Sequence, residues 1–151
     1  RYVSTIANRG TVYDLTLLDK LTDSEGNTIE DYSASVYNNI DIADNSWNTI
    51  QEGMHQVAEN TAVFKDLNLT IAGKTGTAQQ SKVHPDHVLF AGYAPADDPQ
   101  IAITVRIANG YSSNYAAEIG RDITKVYFDA NAAKDLITGK ASSLGKAGSG
   151  D

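Results

Sequence analysis

Lys74, Thr75, Gly76 and Thr77 are the residues of this chain whose types and order could carry a reaction. They stand in the run Ile71-Ala72-Gly73-Lys74-Thr75-Gly76-Thr77-Ala78-Gln79. A cation, two hydroxyls and neighbouring main-chain N–H groups set side by side suit an anionic ligand and a developing oxyanion. β-Branched residues at Ile71, Thr75 and Thr77 read as a strand. Glycine weakens a strand, so Gly73 and Gly76 imply that something approaches this backbone closely. Taken without its surroundings, Lys74 would instead read as an edge-strand lysine that discourages aggregation.

The elements that must position this run follow from periodicity. Val88 to Ala94 is apolar on both faces, as expected of an interior strand. Ile101, Ile103, Val105 and Ile107 alternate with Ala102, Thr104, Arg106 and Ala108, the period of a strand with one buried face. With the short turn at Ala96-Asp97-Asp98-Pro99, these runs predict three antiparallel strands. Before them, Trp47, Ile50, Met54 and Val57 fall on one helical face, with Asp44 or Asn45 as N-cap and Trp47 and Met54 as core. After them, Ala116, Ile119, Ile123, Val126 and Tyr127 predict a helix over 115–129 whose apolar stripe covers the sheet. Arg1 to Asn8 has helical spacing, reads as the end of a longer helix, and has Gly10 as its C-cap. Thr11 to Leu21 reads as one extended run that turns at Asp23-Ser24-Glu25-Gly26-Asn27 and returns over Thr28 to Tyr32, while Tyr32 to Ile40 reads as loop or a short extended segment.

The surroundings of the lysine carry a resemblance. Ala72-Gly73 before Lys74-Thr75-Gly76-Thr77-Ala78-Gln79, then Asp86-His87 leading into Phe90-Ala91-Gly92-Tyr93-Ala94-Pro95, resemble class B penicillin-binding proteins, the transpeptidases that cross-link peptidoglycan. The resemblance runs from about Arg1 to Asp129. It implies an α+β fold, an antiparallel sheet covered by helices, with residues 1–130 the C-terminal part of a transpeptidase domain and residues 131–151 a flexible tail. It gives Lys74 an electrostatic and hydrogen-bonding role beside the nucleophile, and gives the Thr75 and Thr77 hydroxyls contacts to a substrate or antibiotic carboxylate. The N–H of Thr77 would supply half of an oxyanion hole, with Gly76 letting the ligand lie alongside. The implied partners are peptidoglycan stem peptides, β-lactam antibiotics and the remaining N-terminal part of the same domain, with no cofactor. The implied location is the outer face of the bacterial cytoplasmic membrane, reached through an upstream anchor. A β-lactamase, a carboxypeptidase or a β-lactam sensor of the same fold is the alternative reading.

The resembling family takes its nucleophile and base from Ser-x-x-Lys and Ser-x-Asn motifs that precede Lys-Thr-Gly. Ser143-Leu144-Gly145-Lys146 matches the first but lies in a Gly-rich tail that would not hold it rigid. Ser46-Trp47-Asn48 lies on the predicted helix with Trp47 turned to the core, and Ser112-Ser113-Asn114 follows Lys-Thr-Gly. None of the three is read as catalytic, and the nucleophile is expected in sequence upstream of Arg1. His84, Asp86 and His87 could be taken for a metal cluster, but Pro85 interrupts them and a third protein ligand is not apparent, so no metal is expected.

Composition sets the outer bounds. The chain of 151 residues, 41% hydrophobic and 21% charged, suffices for one domain with a core. Its formal net charge of -7 argues against nucleic acid as a partner. Its lack of cysteine excludes disulfides and thiolate chemistry. No run reaches the roughly 18 apolar residues of a membrane-spanning helix.

Overall fold

The computed structural model describes residues 1–137. At its centre, β5 (Ala72–Ala78), β6 (His87–Ala94) and β7 (Ile101–Ile107) form an antiparallel sheet in the order β5-β6-β7. The register sets Lys74 opposite Ala91, Thr75 opposite Phe90 and Gly76 opposite Leu89, with Phe90 opposite Val105 on the other side. Because side chains alternate along a strand, Thr75, Phe90 and Val105 share one face while Lys74, Gly76, Leu89 and Ala91 share the other.

Helices cover both faces. α3 (Ser113–Phe128) and a 3-10 turn at Ala62–Phe64 enclose Val88, Phe90, Ile103 and Val105 on the first face. α1 (Tyr2–Ala7) and α2 (Asp44–Glu59) bring Val3, Ile6 and Trp47 onto Ala72 and Tyr93 on the second. The result is a helix–sheet–helix sandwich with a separate apolar cluster on each side.

Phe90 explains the packing of the first face. A Cβ placed at Gly73, Gly92 or Gly120 would come within 2.5, 2.7 and 2.5 Å of its ring. Three glycines therefore make the socket for one aromatic side chain, and Phe64 closes it with ring centroids 5.3 Å apart. This overturns the expected stripe on α3. The side packed on the sheet is Ala116, Ala117, Gly120 and Thr124, whereas Ile119, Ile123 and Tyr127 are exposed. Small residues must face inward because the helix backbone rides directly over the Phe90 ring.

The N-terminal region differs from expectation in detail. Thr11 to Leu21 is not one strand. β1 (Thr11–Tyr13) pairs with β4 (Val36–Asn39), β2 (Lys20–Thr22) pairs with β3 (Thr28–Asp31), and both pairs are antiparallel. The region read as loop, Tyr32 to Ile40, thus contains β4. At the tip, the Asp23 carboxylate accepts from the Asn27 side chain and from the N–H groups of Asn27 and Glu25, which lowers its pKa. Leu15, Leu17 and Leu18 are exposed along this arm rather than buried.

The ends of α1 and α2 are also corrected. α1 closes through Arg9, which takes a left-handed φ of 59°, with Arg9 N–H donating to Ile6 and Gly10 N–H to Thr5. The C-cap is Asn8, two residues before the expected Gly10, and a Cβ at Gly10 would meet the Ile40 carbonyl oxygen at 2.3 Å. The N-cap of α2 is Ala43, whose side chain offers no acceptor, and Asp44 is the first helical residue. Asp44 instead pairs with Arg9, whose guanidinium also donates to Asn48 and Gln51. Gln51 in turn donates to the Ile6 carbonyl at 2.9 Å, which locks α2 across the end of α1. Past α3, Ala132–Leu136 forms a short helix, α4, within the stretch expected to be a flexible tail, and residues 138–151 of that tail lie outside the described residues.

Candidate active site

The site begins where the chain enters β5. Thr70 donates its hydroxyl to Asp97 at 2.8 Å and accepts the Ala96 N–H at 3.0 Å, which fastens the start of β5 to the exit of β6. That hydroxyl is the first cause of the lowered pKa of Asp97. From this fixed point the strand carries Lys74, Thr75, Gly76 and Thr77 along the sheet margin, since β5 pairs with β6 and has no second neighbour among the described residues. A margin strand leaves alternate N–H and C=O groups facing away from its partner.

Lys74 is exposed, and its ammonium donates to the Thr75 carbonyl at 2.7 Å. Beside it lies a groove of about 680 Å³ whose lining includes Tyr2 and Ile6 of α1, Ile50 and Met54 of α2, and Lys74 and Gly76 of β5. The lysine therefore stands at the rim of a groove with an apolar lining, not on a flat surface. The two glycines play different parts. Gly73 gives way to the Phe90 ring from within the chain, whereas a Cβ at Gly76 would find nothing nearer than Leu89 at 3.9 Å. Only Gly76 leaves open space alongside the backbone. Thr75 is half-buried on the Phe90 face and Thr77 is exposed on that same face.

The family described as the penicillin binding protein transpeptidase domain matches residues 1–125. This chain belongs to that family.

Among curated relatives, penicillin-binding protein 2A of Bacillus subtilis is 31% identical over 157 residues, which cover 89% of this chain and 22% of that protein. Peptidoglycan D,D-transpeptidase MrdA of Haemophilus influenzae is 32% identical over 105 residues, covering 56% of this chain and 16% of that one. The chain thus spans about a fifth of the length of these relatives. Among solved structures, an imipenem acyl-enzyme complex of penicillin-binding protein A from M. tuberculosis superposes with a TM-score of 0.74 at 25% identity, covering 84% of this chain and 29% of that one. Penicillin-binding protein 2B from Streptococcus pneumoniae, at 24% identity and a TM-score of 0.71, shares the fold over 93% of this chain. The α+β transpeptidase fold expected from the sequence is the fold observed.

Within this transpeptidase fold two of the other serine motifs have residues in structural roles. Ser112 is the N-cap of α3 and accepts the Asn114 N–H. In Ser46-Trp47-Asn48, Trp47 is buried and Asn48 accepts from Arg9. Ser143 to Lys146 lies outside the described residues. The residues considered for a metal do not converge: His84 is exposed in the loop, and both ring nitrogens of His87 are engaged, one with Gln80 and one with the Asn109 N–H. Two features of the site were missed in the sequence. Met54 read as core and Ile50 only as a neighbour on its helical face, yet both line the groove, and the signal was an apolar face on α2 wider than Trp47 and Ala58 alone can bury. Gln80 read only as part of a polar loop.

Proposed function

We propose that this chain is the C-terminal portion of the transpeptidase domain of a peptidoglycan D,D-transpeptidase, supplying one wall of a cleft whose nucleophilic serine and base come from sequence outside it. The observation that carries this reading is the groove beside Lys74, walled by β5 on one side and by α1 and α2 on the other, with Gly76 open to a ligand. The occupation of Ser112 as the N-cap of α3 supports it. A structural neighbour solved as a β-lactam acyl-enzyme complex supports β-lactams as ligands.

In this mechanism a serine from the rest of the domain gives its proton to the base and attacks the carbonyl of a stem peptide or a β-lactam. As the tetrahedral intermediate collapses, the C–N bond breaks and the nitrogen takes up that proton, departing as an amine from the peptide or staying tethered in the opened β-lactam. The Lys74 ammonium steadies negative charge beside the nucleophile. The Thr77 N–H donates to the oxyanion, and the Thr75 and Thr77 hydroxyls donate to the substrate carboxylate. An acceptor amine then takes the acyl group in the transpeptidase reaction. Peptidoglycan as substrate places the site on the outer face of the cytoplasmic membrane. No helix among the described residues is long and apolar enough to cross a membrane.

The test uses the parent protein that contains this chain. Wild type should form a long-lived adduct with labelled penicillin and join a stem-peptide donor to an acceptor amine. Lys74→Ala should slow adduct formation by about 100-fold or more, the scale of losing one transition-state electrostatic partner, with its melting temperature unchanged. Adduct formation at the wild-type rate in Lys74→Ala would overturn the assignment.

A further inference from the structure

The segment that leaves β5 is held by a side chain that the mechanism above does not use. Past Ala78 the strand ends, and the Gln80 side-chain oxygen is hydrogen-bonded to His87 Nε2. The other ring nitrogen, Nδ1, accepts the Asn109 N–H at 3.2 Å. An imidazole nitrogen that accepts carries no proton, so the proton of the neutral ring sits on Nε2 and is donated to Gln80. The far end of this bridge is fixed independently of the ring. Asn109 takes a left-handed φ of 53°, and the Gly110 N–H donates to the Asp86 carbonyl at 2.9 Å. His87 therefore links the rigid turn after β7 to the exit of β5, three residues past Thr77.

We propose that His87 is a positioning residue: its neutral imidazole, anchored on Asn109, holds Gln80 and thereby keeps the backbone of Thr77 aligned toward the acyl substrate. The proposal rests on the reading of residues 74–77 as the cleft wall. Its chemistry is specific, because the ring must present an acceptor at Nδ1 to Asn109 and a donor at Nε2 to Gln80 at the same time. The titratable or charged side chains of the surrounding elements are Lys74 on β5 and Arg106 on β7, both on the same sheet face as His87, and Lys82, His84 and Asp86 in the loop before it. None of them stands in for the two bonds of the ring.

Three variants of the parent protein separate the bonds. His87→Gln keeps a donor toward Gln80 at the position of Nε2, His87→Asn keeps only an acceptor toward Asn109, and His87→Ala keeps neither. We expect His87→Ala and His87→Asn to acylate with labelled penicillin about tenfold more slowly at saturating antibiotic, the scale of a small misplacement, while the non-covalent binding constant moves little. His87→Gln, which keeps the donor to Gln80 without the Asn109 anchor, should fall between wild type and His87→Ala. Amide hydrogen exchange of Thr77 to Gln79 should quicken in His87→Ala, a readout that needs no turnover. Equal rates in His87→Asn and His87→Gln, acylation of a folded His87→Ala within about twofold of wild type, or unchanged exchange at Thr77 would each overturn the proposal. A wild type that forms no adduct would overturn the cleft reading instead, and the exchange comparison would still decide whether the pin exists.

Discussion

At the scale of single residues, Gly73 and Gly76 make a contrasting pair three positions apart. Gly73 has the Phe90 ring at 2.5 Å and the Ala91 carbonyl oxygen at 3.1 Å from any added Cβ, and Gly76 has nothing within 3.8 Å because its nearest neighbour is Leu89 at 3.9 Å. Gly73→Ala should therefore destabilise the fold by about 1–3 kcal/mol through overpacking. Gly76→Ala should leave stability within about 0.5 kcal/mol. Its methyl group should instead obstruct a ligand lying along the strand and slow acylation of the parent protein by about tenfold or more. Denaturant midpoints and adduct formation measured on both variants check the two halves, and a Gly76→Ala protein with wild-type acylation would show that no ligand passes this backbone.

At the scale of elements, Phe90 connects β5, β6 and α3, so truncating it should cost more than any surface change. Phe90→Ala should lose about 3–5 kcal/mol in equilibrium unfolding. A weaker tie joins α3 to the segment after the 3-10 turn, where Lys125 donates to Asp66 at 2.6 Å and holds the Asp66 carboxyl below its ordinary pKa. A depressed carboxyl stabilises the fold above its ordinary pKa and loses that contribution as pH falls through its lowered folded value. Asp66→Asn should flatten this part of the acid limb, by under about 1 kcal/mol because the pair is exposed to solvent. Melting temperatures of wild type and Asp66→Asn across the acid range measure it.

The same scale shows what the sequence disclosed. β5, β6 and β7 were legible because alternation and short polar turns fix a strand and its neighbour. α2 was legible through Trp47, though not its cap, because Ala43 gives no side-chain signal and Asp44 is drawn to Arg9. α3 was legible as a helix but not in its orientation. Isoleucine spacing suggests one inward face, and only the position of Phe90 shows that Ala116 and Gly120 must be innermost. In the arm over residues 11–39 the β2–β3 hairpin was legible from the turn residues Asp23 to Asn27, whereas the pairing of β1 with β4 was not, since Tyr32 to Ile40 shows no clean period. The Lys-Thr-Gly run was conspicuous through residue types, whereas the bond from His87 to Gln80 depends on a register that no local spacing reveals.

At the scale of the whole molecule, apolar surface is left uncovered in several places. Leu15, Leu17 and Leu18 on the arm, Ile119 and Tyr127 on α3, and the groove beside Lys74 are all open to solvent. Such surface favours association with a complementary partner or with a second copy. The isolated chain should bind an environment-sensitive dye and self-associate in light scattering, and a compact monomer that binds no dye would count against a missing covering segment. The central claim is that residues 74–77 work on a nucleophile carried by other sequence. Mapping the labelled penicillin adduct in the parent protein by proteolysis and mass spectrometry tests it most directly. The adduct should sit on a serine outside these 151 residues, and a label on Ser46, Ser112, Ser143 or any other serine of this chain would contradict the account.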